Sequence, residues 1–381
     1  MRALGWTSFL TDFSSEAIYP LLPAFIRGIG GTSLEVGLVD GLANAVAALA
    51  RLPAGIVSDR IGRRPLVLVG YGLSAVVRPL MGFVAAPAGV LLVRAADRLG
   101  KGIRSAPRDA LVTDLAAAEI RGRAFGHIRA LDHAGAALGP LAATAFLLVC
   151  PGRERSLFLL TLLPGLATLG VIWRFVHDPP GRPMARPAVK PARLTKPQAV
   201  LLGAVAVWAL GASSEQFLLL RAGDLGVRAE LVPLVWLGVS LAKSGAALVA
   251  GRLADDRRPA TVLACGWLLF AAAYAGLAVS GSLSTTLPLL VAVGVASGFA
   301  EPAERALVAT LAPAGGQGGA FGWYALVQGL MALPAGLLAG WLWGHGADGP
   351  GLAFAATAVL ALAACGLLAG LHRVTGWRTA G

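Results

Sequence analysis

Five basic residues, Arg94, Arg98, Lys101, Arg104 and Arg108, follow one another at spacings of 4, 3, 3 and 4. At about 100° per residue on an α-helix, this spacing confines all five to a sector of roughly 120°, along about 21 Å of helix. The stretch has the length of a membrane span, and a stripe of that charge cannot face lipid. Three uses are open. The guanidinium forks could grip the carboxylate or phosphate of a substrate. The stripe could pair with Asp12, Glu16, Asp132 or Glu301 in a closed state. Its lower members, Arg104 and Arg108, could reach lipid headgroups by snorkelling. Asp97 and Asp109 lie on other parts of the same helix and offset only some of the charge.

The carboxylates are candidates for proton handling. Asp12 and Glu16 stand one turn apart on one helix face. Burial favours the neutral acid and a nearby cation favours the carboxylate, so a moving gate or an arriving substrate can swing such a group through protonation. Glu215 and Asp132 join this set. Asp132 with His133 could form a relay, although His133 reads better as a hydrogen-bonded packing residue. Glu301 could meet a cationic substrate group or a proton. Asp40, Arg78 and Lys243 fall inside predicted spans as potential structural ion-pair partners. Tyr19, Phe217, Trp236, Trp323 and Tyr324 could line an organic pocket or simply pack. Trp341 and Trp343 read as interfacial anchors.

The elements that position these residues are set by composition. The chain has 381 residues, 56% hydrophobic and only 14% charged, with a net charge of +12 and a mean hydropathy of +0.72. Soluble domains carry roughly a quarter of their residues as charge. Disordered chains, disulfide scaffolds and ordinary cytosolic enzymes are excluded, and an integral membrane protein is expected. Twelve apolar spans are read, at approximately 4–26, 35–57, 66–86, 88–111, 123–149, 156–177, 198–220, 231–252, 260–280, 286–311, 318–343 and 350–371. Between the sixth and seventh, residues 178–197 are proline-rich, basic and aperiodic, as in an extended linker. The expected organisation is therefore a helical bundle over 1–177, a cytoplasmic linker over 178–197 and a second bundle over 198–381. Arginines and lysines concentrate in alternate links (Arg60, Arg63 and Arg64; Arg121 and Arg123; the linker; Arg257 and Arg258), which places both termini in the cytoplasm. The basic excess thus follows topology, and no nucleic-acid partner is expected. Cys150, Cys265 and Cys365 are scattered, with neither disulfide nor metal-ligand spacing. No cleavable signal peptide is expected, because Asp12, Glu16, Pro20 and Pro23 interrupt the first apolar stretch.

The halves repeat. Ser14-Ser15-Glu16 matches Ser213-Ser214-Glu215, and Arg108-Asp109-Ala110-Leu111-Val112 matches Glu304-Arg305-Ala306-Leu307-Val308. Asp59 to Pro65 answers Asp255 to Pro259, Ala124-Phe125-Gly126 answers Ala320-Phe321-Gly322, and Pro140 answers Pro334. A six-plus-six duplication with a midplane site is the mark of a secondary transporter.

The segment from Gly55 through Asp59, Arg60 and Gly62 to Arg63 and Arg64 resembles the signature link of the major facilitator superfamily. The resemblance extends over essentially the whole chain. Gly135 to Pro140 resembles the superfamily's antiporter motif, with Ala142 and Ala143 where glycines usually follow. Arg98 with Gly102 resembles its fourth-helix arginine motif, with Arg104 at the usual second glycine. The run from Asp97 to Asp109 is similar to a bacterial subgroup labelled as drug or small-molecule exporters.

The resemblance implies an all-α membrane fold of two pseudo-symmetric six-helix bundles, with no enzymatic activity. It implies that Gly55, Asp59, Arg60, Gly62, Arg63 and Arg64 lock the inside-closed state. It also implies that the fourth and tenth helices face each other. Because charge inverts between the repeats, Arg108–Glu304 and Asp109–Arg305 are expected to pair as a cytoplasmic gate in the outward-open state. Arg94, Arg98, Lys101, Arg104 and Glu301 are the expected cavity residues; Asp12, Glu16, Asp132 and Glu215 are the expected proton-coupling residues. The resulting expectation is proton-coupled export of a small organic, anion-bearing compound by a monomer in the bacterial inner membrane. Its partners would be the solute and membrane lipids, and it would use a proton gradient and no cofactor. Uptake, movement of a lipid-like amphiphile, and the less favoured receptor or membrane-enzyme readings stay open. No metal-site spacing or nucleotide-binding motif supports an enzyme or ATP-driven pump.

Overall fold

In a bilayer a backbone must satisfy its own hydrogen bonds, and the apolar runs do so as helices. A computed structural model describes residues 2–115, 121–178, 194–212, 215–256, 259–312 and 317–375. Among the described residues the helices form twelve successive segments. α1 is Arg2–Ile18, continued by a 3-10 turn at Tyr19–Leu21 and by Leu22–Gly28. α2 is Ser33–Ile61, and α3 is Arg63–Val77 with the 3-10 turn Arg78–Phe83. α4 is Pro87–Leu115, α5 is Arg121–Val149, and α6 is Glu154–Leu160 with Leu162–Phe175. α7 is Lys196–Gly211 with Gln216–Asp224, and α8 is Val232–Asp256. α9 is Pro259–Val279, α10 is Leu283–Leu311, α11 is Gln317–Trp343 and α12 is Gly349–Thr375.

Ten of these are long and apolar enough to cross a membrane. The other two, α1 and α4, carry Asp12 with Glu16 and the basic stripe. Leu92, Trp173, Leu248 and Val279 are large apolar side chains that stay well exposed, as suits a surface in contact with lipid tails. The protein is a multi-pass membrane protein.

Two compact units divide the chain. One comprises Met1–Ala188 and Arg228–Leu237, the other Val189–Val227 and Gly238–Gly381. In unit 1, Leu4, Val67, Tyr71, Leu111, Val112, Ile128 and Ile172 form a buried cluster. Unit 2 has its own cluster around Trp267. Within unit 1, α1 and α5 approach closely: a Cβ at Gly135 or Gly139 would collide with the carbonyl of Phe9 or Phe13. That is the physical use of the glycines in the Gly135–Pro140 motif.

Helix starts follow the sequence. Thr32 and Glu35 form a capping box on α2, and Thr195 and Gln198 form one on α7. Residues 179–193 of the expected linker, Arg257 and Arg258, and the repeated Ser213-Ser214 lie outside the described residues.

Candidate functional site

In unit 1 the stripe on α4 packs toward α1, α2 and α3, and most of it finds a partner there. Asp97 is the hub. Arg78 Nη2 lies 2.9 Å from Asp97 Oδ1, and Arg94 Nη1 lies 3.6 Å from Oδ2. Arg78 also donates to the Thr11 carbonyl at 3.2 Å and to Ser14 Oγ on α1. Arg94 Nη2 is 3.7 Å from Asp40 Oδ1 on α2, and its guanidinium carbon is 5.5 Å from the Tyr19 ring centre. Farther along α4, Arg104 donates to Ser74 Oγ at 2.7 Å and sits 4.6 Å from the Tyr71 ring centre. Arg108 donates to Ser8 Oγ at 2.9 Å and to Asp109 Oδ1 at 3.0 Å.

Among the described residues of unit 1, the stripe forms ion pairs with Asp40, Asp97 and Asp109. Asp40 and Arg78, left unassigned by spacing, belong to the network. Arg94 and Arg104 are buried among the helices of unit 1. Arg98 is half-buried and Lys101 exposed. Arg98 Nε is enclosed without a hydrogen-bond partner among the described residues. Both basic groups lie within electrostatic reach of Glu16, and Lys101 also of Asp12.

Glu16 accepts a hydrogen bond from Trp236 Nε1 at 2.8 Å. Trp236 belongs to unit 1 and packs tilted against Tyr19, with ring centroids 5.2 Å apart. A carboxylate, two cations and two amphipathic aromatics thus share one place, directly before the 3-10 break in α1. Asp132 is buried, with Arg129 Nη1 3.7 Å from its Oδ2. His133 is exposed, so the structure does not bring the suggested Asp132–His133 relay together.

At the other end of α2, Arg63 Nη1 meets Asp59 Oδ1 and Ser58 Oγ, both at 2.5 Å. Arg63 Nε lies 3.5 Å from Asp114 Oδ2 on α4. The start of α3 is capped from 115 residues away: Asp178 Oδ1 accepts from the backbone N–H groups of Arg63 and Arg64, each at 3.1 Å. The acid that caps the start of α3 is thus Asp178, while Asp59 pairs with the Arg63 side chain. Arg64 Nη2 reaches the Trp173 carbonyl at 2.9 Å, and Arg60 is exposed.

Gly62 has φ +99°, and a Cβ there would sit 2.7 Å from Asp178 Oδ2. A Cβ at Gly55 would meet only Ala106 Cβ at 3.5 Å, an ordinary contact, so Gly55 is not required for close approach. Gly62→Ala is expected to cost about 1–2 kcal/mol in backbone strain alone. It should lower the thermal unfolding midpoint of the purified protein; an unchanged midpoint would contradict the cap geometry.

In unit 2, Lys243 Nζ on α8 stands 3.5 Å from Glu215 Oε1 and 3.8 Å from Glu301 Oε2. Arg305 Nη2 donates to Glu301 Oε1 at 2.7 Å. Glu304 points elsewhere, into the core. Its Oε1 accepts from Trp267 Nε1 at 3.1 Å, and its Oε2 accepts from Tyr324 Oη at 2.7 Å and Gln328 Nε2 at 3.1 Å.

The four residues of the expected Arg108–Glu304 and Asp109–Arg305 gate thus engage partners inside their own units. Glu304 is a core-facing acid here, because the helix face that carries it packs on α9 and α11. Trp343 is buried against Phe217 and Phe354, so it is a packing residue and not an interfacial anchor. Trp341 stays exposed.

A helical repeat carrying buried charge, an aromatic-flanked carboxylate and a capped link between α2 and α3 define a membrane transport fold. The profile of the Major Facilitator Superfamily matches residues 4–221. An uncharacterized MFS-type transporter of Methanocaldococcus jannaschii is 31% identical over 351 residues, 89% of this chain and 87% of that one. The chain belongs to the major facilitator superfamily. A shorter match, 30% identical over 146 residues, covers 37% of the chain and 36% of the multidrug resistance protein MdtH of Yersinia pestis. Among solved structures, a bacterial homolog of the human lysosomal transporter Spinster, inward-facing and unoccupied, shares the fold. Its TM-score is 0.83 at 16% identity, over 99% of this chain and 98% of that one. The protein is a transporter of this superfamily, not an enzyme.

Proposed function

We propose that the chain exports a small organic solute bearing an anionic group, in exchange for protons, by alternating access across the bacterial cytoplasmic membrane. The observation that carries this reading is the grouping of Glu16, Trp236 and Tyr19 with Arg98 and Lys101. No ion pair with an acid is described in unit 1 for Arg98, Lys101 or Arg104; Arg104 is buried against Ser74 and the Tyr71 ring, so Arg98 and Lys101 are the cations on offer to an anion. Glu16 lies within their field. An arriving anion competes with Glu16 for that positive charge and favours the protonated acid; a departing anion reverses this. Proton and substrate thereby occupy linked states of one site, which is the thermodynamic requirement for coupling. The multidrug name of one relative supports export of organic compounds.

The link built from Asp59, Arg60, Gly62, Arg63 and Arg64, clasped by Asp114 and Asp178, serves as a cytoplasmic latch. The Lys243–Glu215–Glu301–Arg305 cluster supplies a second set of exchangeable ion pairs. Both termini are cytoplasmic, and a monomer is sufficient, with the proton gradient as the energy source.

The test is proton movement in proteoliposomes under an imposed pH gradient, with anionic, zwitterionic and cationic solutes added in turn. Proton flux evoked by anionic solutes is the expected result. Solute movement without proton flux would overturn the coupling, and flux evoked by cations alone would overturn the substrate class.

A further inference from the structure

Glu304 has no part in the exchange proposed above, yet at 1% exposure it is the least exposed carboxyl among the described residues. An ionisable group enclosed within a span is costly and calls for a use. An offset of 196 residues sets Tyr71 on Trp267, Arg108 on Glu304 and Asp132 on Gln328. The same position of the repeat therefore holds an arginine answered by Asp109 in unit 1, and an acid surrounded by neutral donors in unit 2.

α8 packs on α10, the helix of Glu304, at Gly294 and Gly298 and brings Lys243, whose Nζ is held 3.5 Å from Glu215 Oε1 and 3.8 Å from Glu301 Oε2. α9 gives Trp267 and α11 gives Tyr324 and Gln328; α7 contributes apolar Leu201 and Val205 with Trp208 to the surrounding core. The charged neighbours on its own helix, Glu301 and Arg305, pair with each other at 2.7 Å. No described cation forms an ion pair with Glu304.

The three donors differ in what they can do. The Trp267 indole N–H only donates. The Tyr324 hydroxyl donates or accepts, and the Gln328 amide offers both an N–H donor and a carbonyl acceptor. With Glu304 ionised, all three donate to it, and Gln328 Nε2 also lies 2.8 Å from Tyr324 Oη. With Glu304 protonated, its hydroxyl donates to Tyr324 Oη. Tyr324 then turns its own proton to the Gln328 carbonyl after an amide flip, and Trp267 keeps Oε1. Both states stay hydrogen-bonded without moving the backbone. Gln328 is half-buried, so the chain from Glu304 through Tyr324 leads from the core toward the surface of the unit.

We infer that Glu304 is a proton-binding site of unit 2, with Tyr324 and Gln328 as a reversible hydrogen-bond chain that accommodates the acid in both forms. The proton comes from water and returns to it. This site requires neither the substrate nor Glu16, so it stands or falls apart from the exchange reading.

The test is infrared difference spectroscopy of the purified protein in lipid, without substrate or gradient, between alkaline and acid pH. A carboxylic-acid C=O band should grow on acidification, vanish in Glu304→Gln and persist in Glu16→Gln. Tyr324→Phe should keep the band but move its frequency, because the hydroxyl partner is gone. The same band in folded Glu304→Gln as in wild type would overturn the proposal. A band left unmoved by Tyr324→Phe would do so too, and that variant decides the matter should Glu304→Gln fail to fold.

Discussion

Asp97→Asn is expected to destabilise the protein by about 3–5 kcal/mol, the usual cost of removing one partner from a buried ion pair. Asp97 stands between Arg78 and Arg94, both of them buried. Without its charge, the described partners left to Arg78 are a backbone carbonyl and a serine hydroxyl, and those left to Arg94 are Asp40 at 3.7 Å and the face of Tyr19. Two guanidinium groups would be left in a low-dielectric interior with one acid between them. Arg78→Gln added to Asp97→Asn removes one of the stranded cations and should recover a substantial part of the loss. Thermal unfolding of the three variants in detergent checks both effects. An Asp97→Asn protein as stable as wild type would mean that the network is incidental to the fold.

The second large effect is functional. Glu16→Gln preserves shape and the hydrogen bond from Trp236, but it removes the protonatable group from the field of Arg98 and Lys101. Proton flux evoked by substrate is expected to fall by about two orders of magnitude, the scale of losing a group engaged in proton transfer, with the unfolding midpoint near that of wild type. Trp236→Phe keeps the ring against Tyr19 and loses only one hydrogen bond worth about 1.5–3 kcal/mol to a charged acceptor. Its effect should be smaller and should fall on substrate affinity as well as on rate. Equal flux in Glu16→Gln and wild type would remove Glu16 from the mechanism.

The architecture was legible in the sequence because span length, the 194–199-residue repeat and the link from Gly55 to Arg64 are local patterns. The stripe on α4 was legible for the same reason, as four fixed spacings on one helix. Its partners were not. Whether Arg104 meets water or Ser74 depends on which face of α3 packs against α4, and periodicity on one helix says nothing about the neighbour's rotation. Arg78 carries no motif, and its contact with Asp97 joins the end of α3 to α4. Asp178 caps Arg63 and Arg64 across 115 residues, a contact invisible to any window. The inverted charge at Arg108 and Glu304 is a repeat feature, and within its own unit Glu304 meets Trp267, Tyr324 and Gln328. The offset of 196 that exposed it also aligns Tyr71 with Trp267 and Asp132 with Gln328. Followed one step further, it marks the cage around Glu304.

The central claim, export driven by proton exchange, is tested most directly by solute uptake into inverted membrane vesicles energised acid-inside. Accumulation of an anionic solute that collapses on adding a protonophore, and that is lost in Glu16→Gln, is the expected result. Accumulation indifferent to the protonophore would contradict it.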